Sequence, residues 1–467
     1  MFFFDDQYLE NIALIDRNGS FLSYSDLTQK IKEFSSAFDR RHLVFIVGEN
    51  DVSSIVCYLS CLESDMVPLL LSPKINLDQL KNLIEVYKPR YIFQKLEDLY
   101  ANYSLALRDK TYSLLVNNYN LQVQLNSKLA LLLTTSGSTG SPKLVRLTKK
   151  NLISNARSIS NYLKISPDNR VITSLPFNYS YGLSVINSHL ISGSSIVLSN
   201  ASMIEGEFWK KINEHSVTGL SGVPYNYEMI LKLGINRLKI PSINTMTQAG
   251  GRLDFEKMKT IYDGLKSKKI DFYSMYGQTE ATARISYLAP NDIIRKRGSI
   301  GKAIPNGRLW IEDKNGKIID QSDTTGELMY SGDNVSMGYA NSLDDLNLGD
   351  INKGSLRTGD LAHFDSEGYF YIKGSINRFI KVFGNRISLD SVEELISSMG
   401  FECAVTGEEN MLLIFVEDHP SLSTDSLRIE ISSFIGINQK AIEISSISLL
   451  PRLINGKIDY KALSEGK

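Results

Sequence analysis

The feature that most constrains this chain is an alternation between residues 42 and 95. Short apolar runs exchange with amphipathic stretches: "HLVFIVGEN", "DVSSIVCYLSCLESD", "MVPLLLS", "INLDQLKNLIEVYKP" and "RYIFQ". β-Branched runs ending in Gly or Ser read as buried strands, and apolar spacing after an Asp or Asn reads as a capped helix. The pattern returns between residues 151 and 199, with a helix at "NLISNARSISNYL", a strand at "VITSLPF", an apolar helix and a strand at "SSIVLS". Strands that alternate with helices of this length predict an α/β fold of parallel sheets covered on both faces.

Two changes of texture divide the chain. From 298 to 374 short strands and glycines dominate ("GRLWIEDKNGKIID", "GELMYSG", "GYFYIKG"), which predicts a small β-rich subdomain. After Asn377, "RFIKVFGNRISLDSVEELISSMG" reads as strand, turn and capped helix and opens a compact α+β piece. The expected organisation is a large N-terminal domain over 1–376 and a small, mobile C-terminal domain over 377–467, hinged near Asn377.

Composition excludes several classes. Lys+Arg 51 against Asp+Glu 52 in 467 residues lacks the basic excess of a nucleic-acid binder. No apolar run reaches the ~18 residues of a membrane span, and "MFFFDDQYLE" has no basic n-region, so a cytoplasmic protein without membrane insertion is expected. Cys57, Cys61 and Cys403 form neither a disulfide framework nor a CxxC pair and read as small core residues.

"LLLTTSGSTGSPKLVRLT", residues 131–148, sets a Gly/Ser/Thr loop between two apolar runs. Backbone N–H groups of such a turn converge on a concavity, hydroxyls add donors, and glycine permits close approach. That composition suits phosphate, with a flexible linker as the plain alternative. A Walker loop does not fit, because Gly137 lacks the spacing to a GK pair and Pro142 precedes Lys143.

In order along the chain, "TTSGSTGSPK", "SMYGQTEAT" (274–282), "TGD" (358–360), "IKVFGNRI" (380–387) and "PRLINGKID" (451–459) resemble the motifs of the adenylate-forming superfamily of acyl-CoA synthetases, aryl-acid ligases and peptide-synthetase adenylation domains. The resemblance covers most of the chain and is that of a stand-alone member. It implies ATP-dependent activation of a small carboxylic acid to acyl-AMP with pyrophosphate release, then transfer to a thiol. The acceptor is coenzyme A or the phosphopantetheine of an acyl or peptidyl carrier protein. It further implies that Thr135, Ser136, Gly137, Ser138, Thr139, Gly140 and Lys143 cradle the β- and γ-phosphates. Tyr276 and Gly277, with Gly250 and Gly251 of "TQAGGRL", would border the adenine, Thr279 would contact the α-phosphate, and Glu280 would hold Mg2+. Asp360 would take the ribose hydroxyls, Lys457 would bridge carboxylate and α-phosphate, and Gly384 and Arg386 would serve the thiol step.

The sequence departs from the family pattern at the hinge. "GSINRFIK" has Ser375 in place of an arginine that assists at the ribose and Asn377 in place of a charged residue; Arg378 is the substitute considered for the former. Tyr179, Tyr181, Gly182, Tyr225 and Arg284 are the candidate acyl-pocket residues, with ordinary core packing as their alternative. Asn178 and Tyr179 stand where amino-acid activators carry an Asp, which favours an acid without a free α-amine over an amino acid loaded onto a separate carrier. A P-loop kinase conflicts with the YGQTE and NGK motifs. A nucleotide-binding scaffold that has lost catalysis is the alternative from another class, and it rests on Ser375 and Asn377 alone.

Overall fold

Asp51 accepts the Ser54 amide and starts the helix Val52–Glu63, and Asn76 accepts the Asp78 amide and starts Leu77–Tyr87. Each satisfies a donor that the first turn leaves unpaired. The strands Leu43–Val47, Val67–Leu71 and Tyr91–Lys95 alternate with these helices, as the pattern predicts. The computed structural model describes residues 3–95, 102–109, 111–119, 123–134, 143–376, 378–382, 385–408, 410–453 and 456–465.

Two large sheets form the body. One has eight strands in the order Tyr339–Ala340, Leu144–Thr148, Leu129–Thr134, Val67–Leu71, Leu43–Val47, Tyr91–Lys95, Tyr112–Asn117 and Tyr103–Asp109. The other has nine: Lys302–Ala303, Ser286–Leu288, Asp271–Tyr276, Thr245–Gln248, Gly219–Gly222, Arg170–Ile172, Ser195–Val197, Ile12–Ile15 and Phe21–Ser23. The inner strands are parallel, as expected, whereas the outer ones run antiparallel. The sheets are therefore mixed rather than purely parallel. Short connections such as that between Asp271–Tyr276 and Ser286–Leu288 leave no room for a crossover helix, so the chain turns straight back.

Helices Val52–Glu63, Lys149–Leu163 and Ser180–Ile191 lie in one hydrophobic core shared by both sheets. Tyr58 and Asn187 hydrogen-bond across that seam at 3.2–3.3 Å. Cys57 and Cys61 are fully buried there as free thiols. A four-stranded antiparallel sheet, Arg308–Glu312, Gly326–Ser331, Ser355–Phe364 and Phe370–Ser375, occupies the glycine-rich stretch. The last part has a hairpin (Phe379–Val382 with Asn385–Ser388) and a three-stranded sheet of Cys403–Glu408, Met411–Glu417 and Ile442–Ile447. Helices Leu389–Ser398 and Thr424–Ile435 complete it, around a separate core.

Arg146 fastens the edge of the eight-stranded sheet. It is fully buried, and its guanidinium donates to the carbonyls of Tyr339 (3.1 Å), Met337 (3.0 Å), Gly349 (3.2 Å) and Leu348. Four carbonyls thus replace its water shell and fix residues 337–349 against the strand Leu144–Thr148. Arg146→Ala strands those carbonyls and is expected to cost about 3–5 kcal/mol. A fall in the urea midpoint measures it; an unchanged midpoint contradicts this role.

Candidate active site

The strand Asp271–Tyr276 is third from one edge of the nine-stranded sheet, and the chain leaving its C-terminal end carries Gly277, Gln278, Thr279 and Glu280. The turn is tight. A Cβ on Gly277 would lie 1.8 Å from the Ala283 carbonyl oxygen, so only glycine lets the chain fold back there. Three residues past Thr279, Thr282 has φ of +66°, a costly conformation for a β-branched residue, held by a 2.7 Å hydrogen bond from its hydroxyl to the Asn334 carbonyl. Asn334 also donates to the carbonyls of Ala281 and Arg284, which pins the turn from behind.

Asp360 enters from the strand Ser355–Phe364, in register with Ser375. The Tyr276 hydroxyl donates to its Oδ2, and the Gln278 amide reaches the same oxygen at 3.4 Å and the Thr358 carbonyl at 2.8 Å. Loss of water around the carboxylate pushes its pKa above the ordinary 3.8, with Tyr276, Gln278 and Lys457 opposing and Asp390 adding to the rise. Burial and the neighbouring Asp360 hold the Tyr276 phenol well above its ordinary range.

Thr279 donates to the Ser180 hydroxyl at 3.1 Å, at the start of the helix Ser180–Ile191. The positive end of that helix therefore lies beside Thr279, a favourable place for an anion. Glu280 is half-buried, and its Oε1 accepts from the Tyr339 hydroxyl at 2.6 Å. Lys143 is exposed, with its ammonium 5.3 Å from the centre of the Tyr339 ring. Gly250 (φ +87°) lies so near Tyr179 that a Cβ would come within 2.6 Å of the phenol oxygen, and Gly251 packs beside Pro224.

Lys457 comes from the other end of the chain. The Leu453 amide bonds to the Lys457 carbonyl and the Gly456 amide to the Leu453 carbonyl, and Arg452 pairs antiparallel with Ile458, which closes a hairpin. Gly456 (φ +79°) lies against Val223, where a Cβ would be 2.6 Å from Cγ2. Lys457 keeps an exposed surface, yet the protein crowding its ammonium lowers its pKa below 10.5, with Glu280 and Asp360 pulling the other way. A cation and two carboxylates from three distant segments thus lie within electrostatic reach of one another.

The C-terminal segment is held there by polar contacts that the sequence did not disclose. Arg252 pairs with Glu394 and Lys257 with both Glu228 (3.1 Å) and Glu402, while the Arg452 guanidinium covers the Tyr225 ring at 5.2 Å. Tyr225 therefore belongs to this docking surface. Arg378 bonds to Asp390, both oxygens of Glu393 and the Val405 carbonyl, so its guanidinium is committed within the C-terminal segment. Tyr181 is buried, with its hydroxyl bonded to Thr247, and Gly182 fits where a Cβ would come 2.2 Å from the Pro176 carbonyl. Arg284 is buried beside Tyr181, its guanidinium carbon 4.9 Å from the ring centre. Thr135, Ser136, Gly137, Ser138, Thr139, Gly140, Asn377 and Gly384 lie outside the described residues, as does the side chain of Arg386. Tyr339, Gln278 and Ser180 are site residues that sequence reasoning missed. Tyr339 and Ser180 lie in none of the motifs, whereas Gln278 sits inside "SMYGQTEAT" between residues that drew the assignments.

A model of the AMP-binding enzyme family matches residues 4–340. The chain belongs to this family. It is 28% identical over 340 residues to the sulfoacetate–CoA ligase of Cupriavidus necator, spanning 70% of this chain and 65% of that one. To the 2-succinylbenzoate–CoA ligase of Bacillus subtilis it is 30% identical over 283 residues, spanning 60% and 56%. The chain thus covers less than two thirds of either relative. The solved o-succinylbenzoate CoA synthetase of B. subtilis, in complex with its acyl-adenylate intermediate, has the same fold. Its TM-score is 0.78 at 22% identity, over 97% of this chain and 95% of that chain. The same enzyme with ATP and magnesium ion scores 0.76 at 23% identity, over 96% and 95%.

Gly277→Ala drives a methyl group into backbone and is expected to cost at least about 2 kcal/mol. The denaturation midpoint should fall measurably; a midpoint equal to the parent's would mean the turn at Thr279–Ala281 has slack.

Proposed function

We propose that this chain activates a small carboxylic acid with ATP, forming acyl-AMP and pyrophosphate, and then passes the acyl group to the thiol of coenzyme A. The observation that carries the proposal is the placement of Lys457 within electrostatic reach of Glu280 and Asp360, with Thr279 next to Glu280 in the chain. A carboxylate is a poor electrophile, because its leaving group would be oxide. Attack of its oxygen on the α-phosphorus forms a mixed anhydride and expels pyrophosphate, which makes the acyl carbon reactive. Both reactants are anions, so the work falls to cations and oriented donors.

The residues present suit a nucleotide. Among the described residues Asp360 receives hydrogen bonds from the neutral groups of Tyr276 and Gln278, which leaves acceptor capacity for two ribose hydroxyls. The Lys457 ammonium and the Thr279 hydroxyl are the donors for the reacting carboxylate and the α-phosphate. Lys143 is the accessory cation for the outer phosphates, together with the loop 135–142. Among the described residues no group of three or more His, Cys, Asp or Glu could cage a metal. Glu280 therefore suits Mg2+ that arrives with phosphate oxygens supplying further ligands, the habit of this ion. Magnesium there would neutralise phosphate charge.

Coenzyme A is favoured as acceptor because the relatives are CoA ligases; a carrier-protein phosphopantetheine is the second reading. The buried Arg284 cation beside Tyr181 works against a substrate ammonium and so supports an acid without a free α-amine. In this reading the C-terminal segment, 377–467, is the unit that brings Lys457 in and withdraws it for the thiol step. No described helix is long and apolar enough to cross a membrane.

The test is acid-dependent pyrophosphate release, followed by thioester formation with coenzyme A. Lys457→Ala should slow acyl-AMP formation by about 10²–10³-fold while thioester formation from supplied acyl-AMP persists; equal loss of both half-reactions contradicts the assignment. The pH profile is a second check. Adenylation needs Asp360 ionised and Lys457 protonated. Because the first pKa is raised and the second lowered, kcat/KM should fall below an acid limb lying above 3.8 and beyond an alkaline limb lying below 10.5. Lys457→Arg, which stays protonated, should move the alkaline limb upward in its residual activity.

A further inference from the structure

A small cavity of about 30 Å3 lies between the helix Ser180–Ile191 and the strands Gly219–Gly222 and Thr245–Gln248. Val185, His189, Ser221, Thr245, Thr247 and Arg284 are among its lining residues. Two contacts relate it to the turn at Thr279: the Thr279 hydroxyl bonds to Ser180 at the start of the lining helix, and the ring of the next residue, Tyr181, lies under the Arg284 guanidinium.

Arg284 is the anomaly in this wall. It is 2% exposed, yet its guanidinium has few partners. Nη1 donates to the Tyr162 hydroxyl at 3.0 Å and approaches the Met275 sulfur at 3.2 Å. Nε is buried with no partner, and Nη2 has none among the described residues. No described carboxylate pairs with it. Arg146, equally buried, has every nitrogen bonded to backbone carbonyls. The groups facing Arg284 are tyrosines 162 and 181 and His189, all without negative charge. His189 is kept neutral by burial, its pKa lowered to about 4, and its Nδ1 is engaged with the Val185 carbonyl at 2.8 Å. A desolvated guanidinium with open donors and no counter-charge is costly to keep, and an anion that satisfies it recovers that cost on binding.

We propose that Arg284 is the recognition site for a second anionic group on the acid substrate, so that the chain activates short acids with a carboxylate or sulfonate at the far end. This rests on the adenylation reading: one carboxylate reacts near Lys457 while the other anion meets Arg284. The cavity has room for a small terminal group such as a carboxylate and not for a long chain. The hydroxyls of Ser221 and Thr247, themselves 2.9 Å apart, lie on the same wall and are further donors for the distal group.

The test compares matched acids in pyrophosphate release: three- to five-carbon dicarboxylic acids, their monomethyl esters, and straight-chain monocarboxylic acids of equal length. The parent enzyme should favour the dicarboxylic acids at least tenfold in kcat/KM. Arg284→Met should erase that preference with the KM for ATP unchanged, and Arg284→Lys should restore part of it. The apo melting midpoint of Arg284→Met should stay level or rise, because an unpaired buried charge has been removed. Equal use of neutral-tailed acids by the parent overturns the inference and leaves adenylation standing. A lowered midpoint with acid preference intact marks a structural arginine and also overturns it. Pyrophosphate release with no acid of any class removes the adenylation reading and this inference together.

Discussion

The candidate site depends on the seat of Gly456 against Val223. The backbone of the C-terminal hairpin touches the body of the protein where a side chain would crowd the Val223 methyl and meet an unfavourable positive φ, one residue before Lys457, whose charge feels Glu280 and Asp360. The supports around it are mostly ion pairs with exposed surface, Arg252–Glu394 and Lys257–Glu402 among them. Such pairs contribute about 0–1 kcal/mol each. The seat is thus sterically exact but lightly fastened, whereas the edge held by Arg146 is bonded on every side.

Much of the fold was legible because hydrophobic periodicity reports burial directly. The strands Leu43–Val47, Val67–Leu71 and Tyr91–Lys95 and their capped helices fall where the pattern places them. Strand direction was not legible, since a run buried on both faces looks alike whether its neighbour is parallel or antiparallel. At the site, the motif around Tyr276 brought forward the residues that the chain itself holds together. Tyr339 was beyond reach: it meets Glu280 only because the two-residue strand Tyr339–Ala340 pairs with Leu144–Val145. Nothing local in "MGYAN" records that pairing.

The two buried arginines show the same limit. "LVRLT" and "TARIS" each place an arginine among apolar and hydroxyl residues; Arg284 stood out only as a pocket candidate with core packing as its alternative, and Arg146 did not stand out at all. Their difference lies in what the fold brings to them. Four carbonyls from 337–349 saturate Arg146, while Arg284 meets a phenol, a thioether and a cavity. One is a rivet, and the other holds donors in reserve.

The rung that joins Asp360 to Ser375 links the candidate site to the chain's exit toward the C-terminal segment. Ser375 donates its amide to Asp390 at 2.8 Å and its hydroxyl to the Gly359 carbonyl at 3.3 Å. Asp390 in turn adds to the rise in the Asp360 pKa. This rung is a fulcrum: any displacement of Asp390 bears at once on the backbone at Ser375, which pairs with Asp360, and on the charge that the Asp360 carboxylate feels.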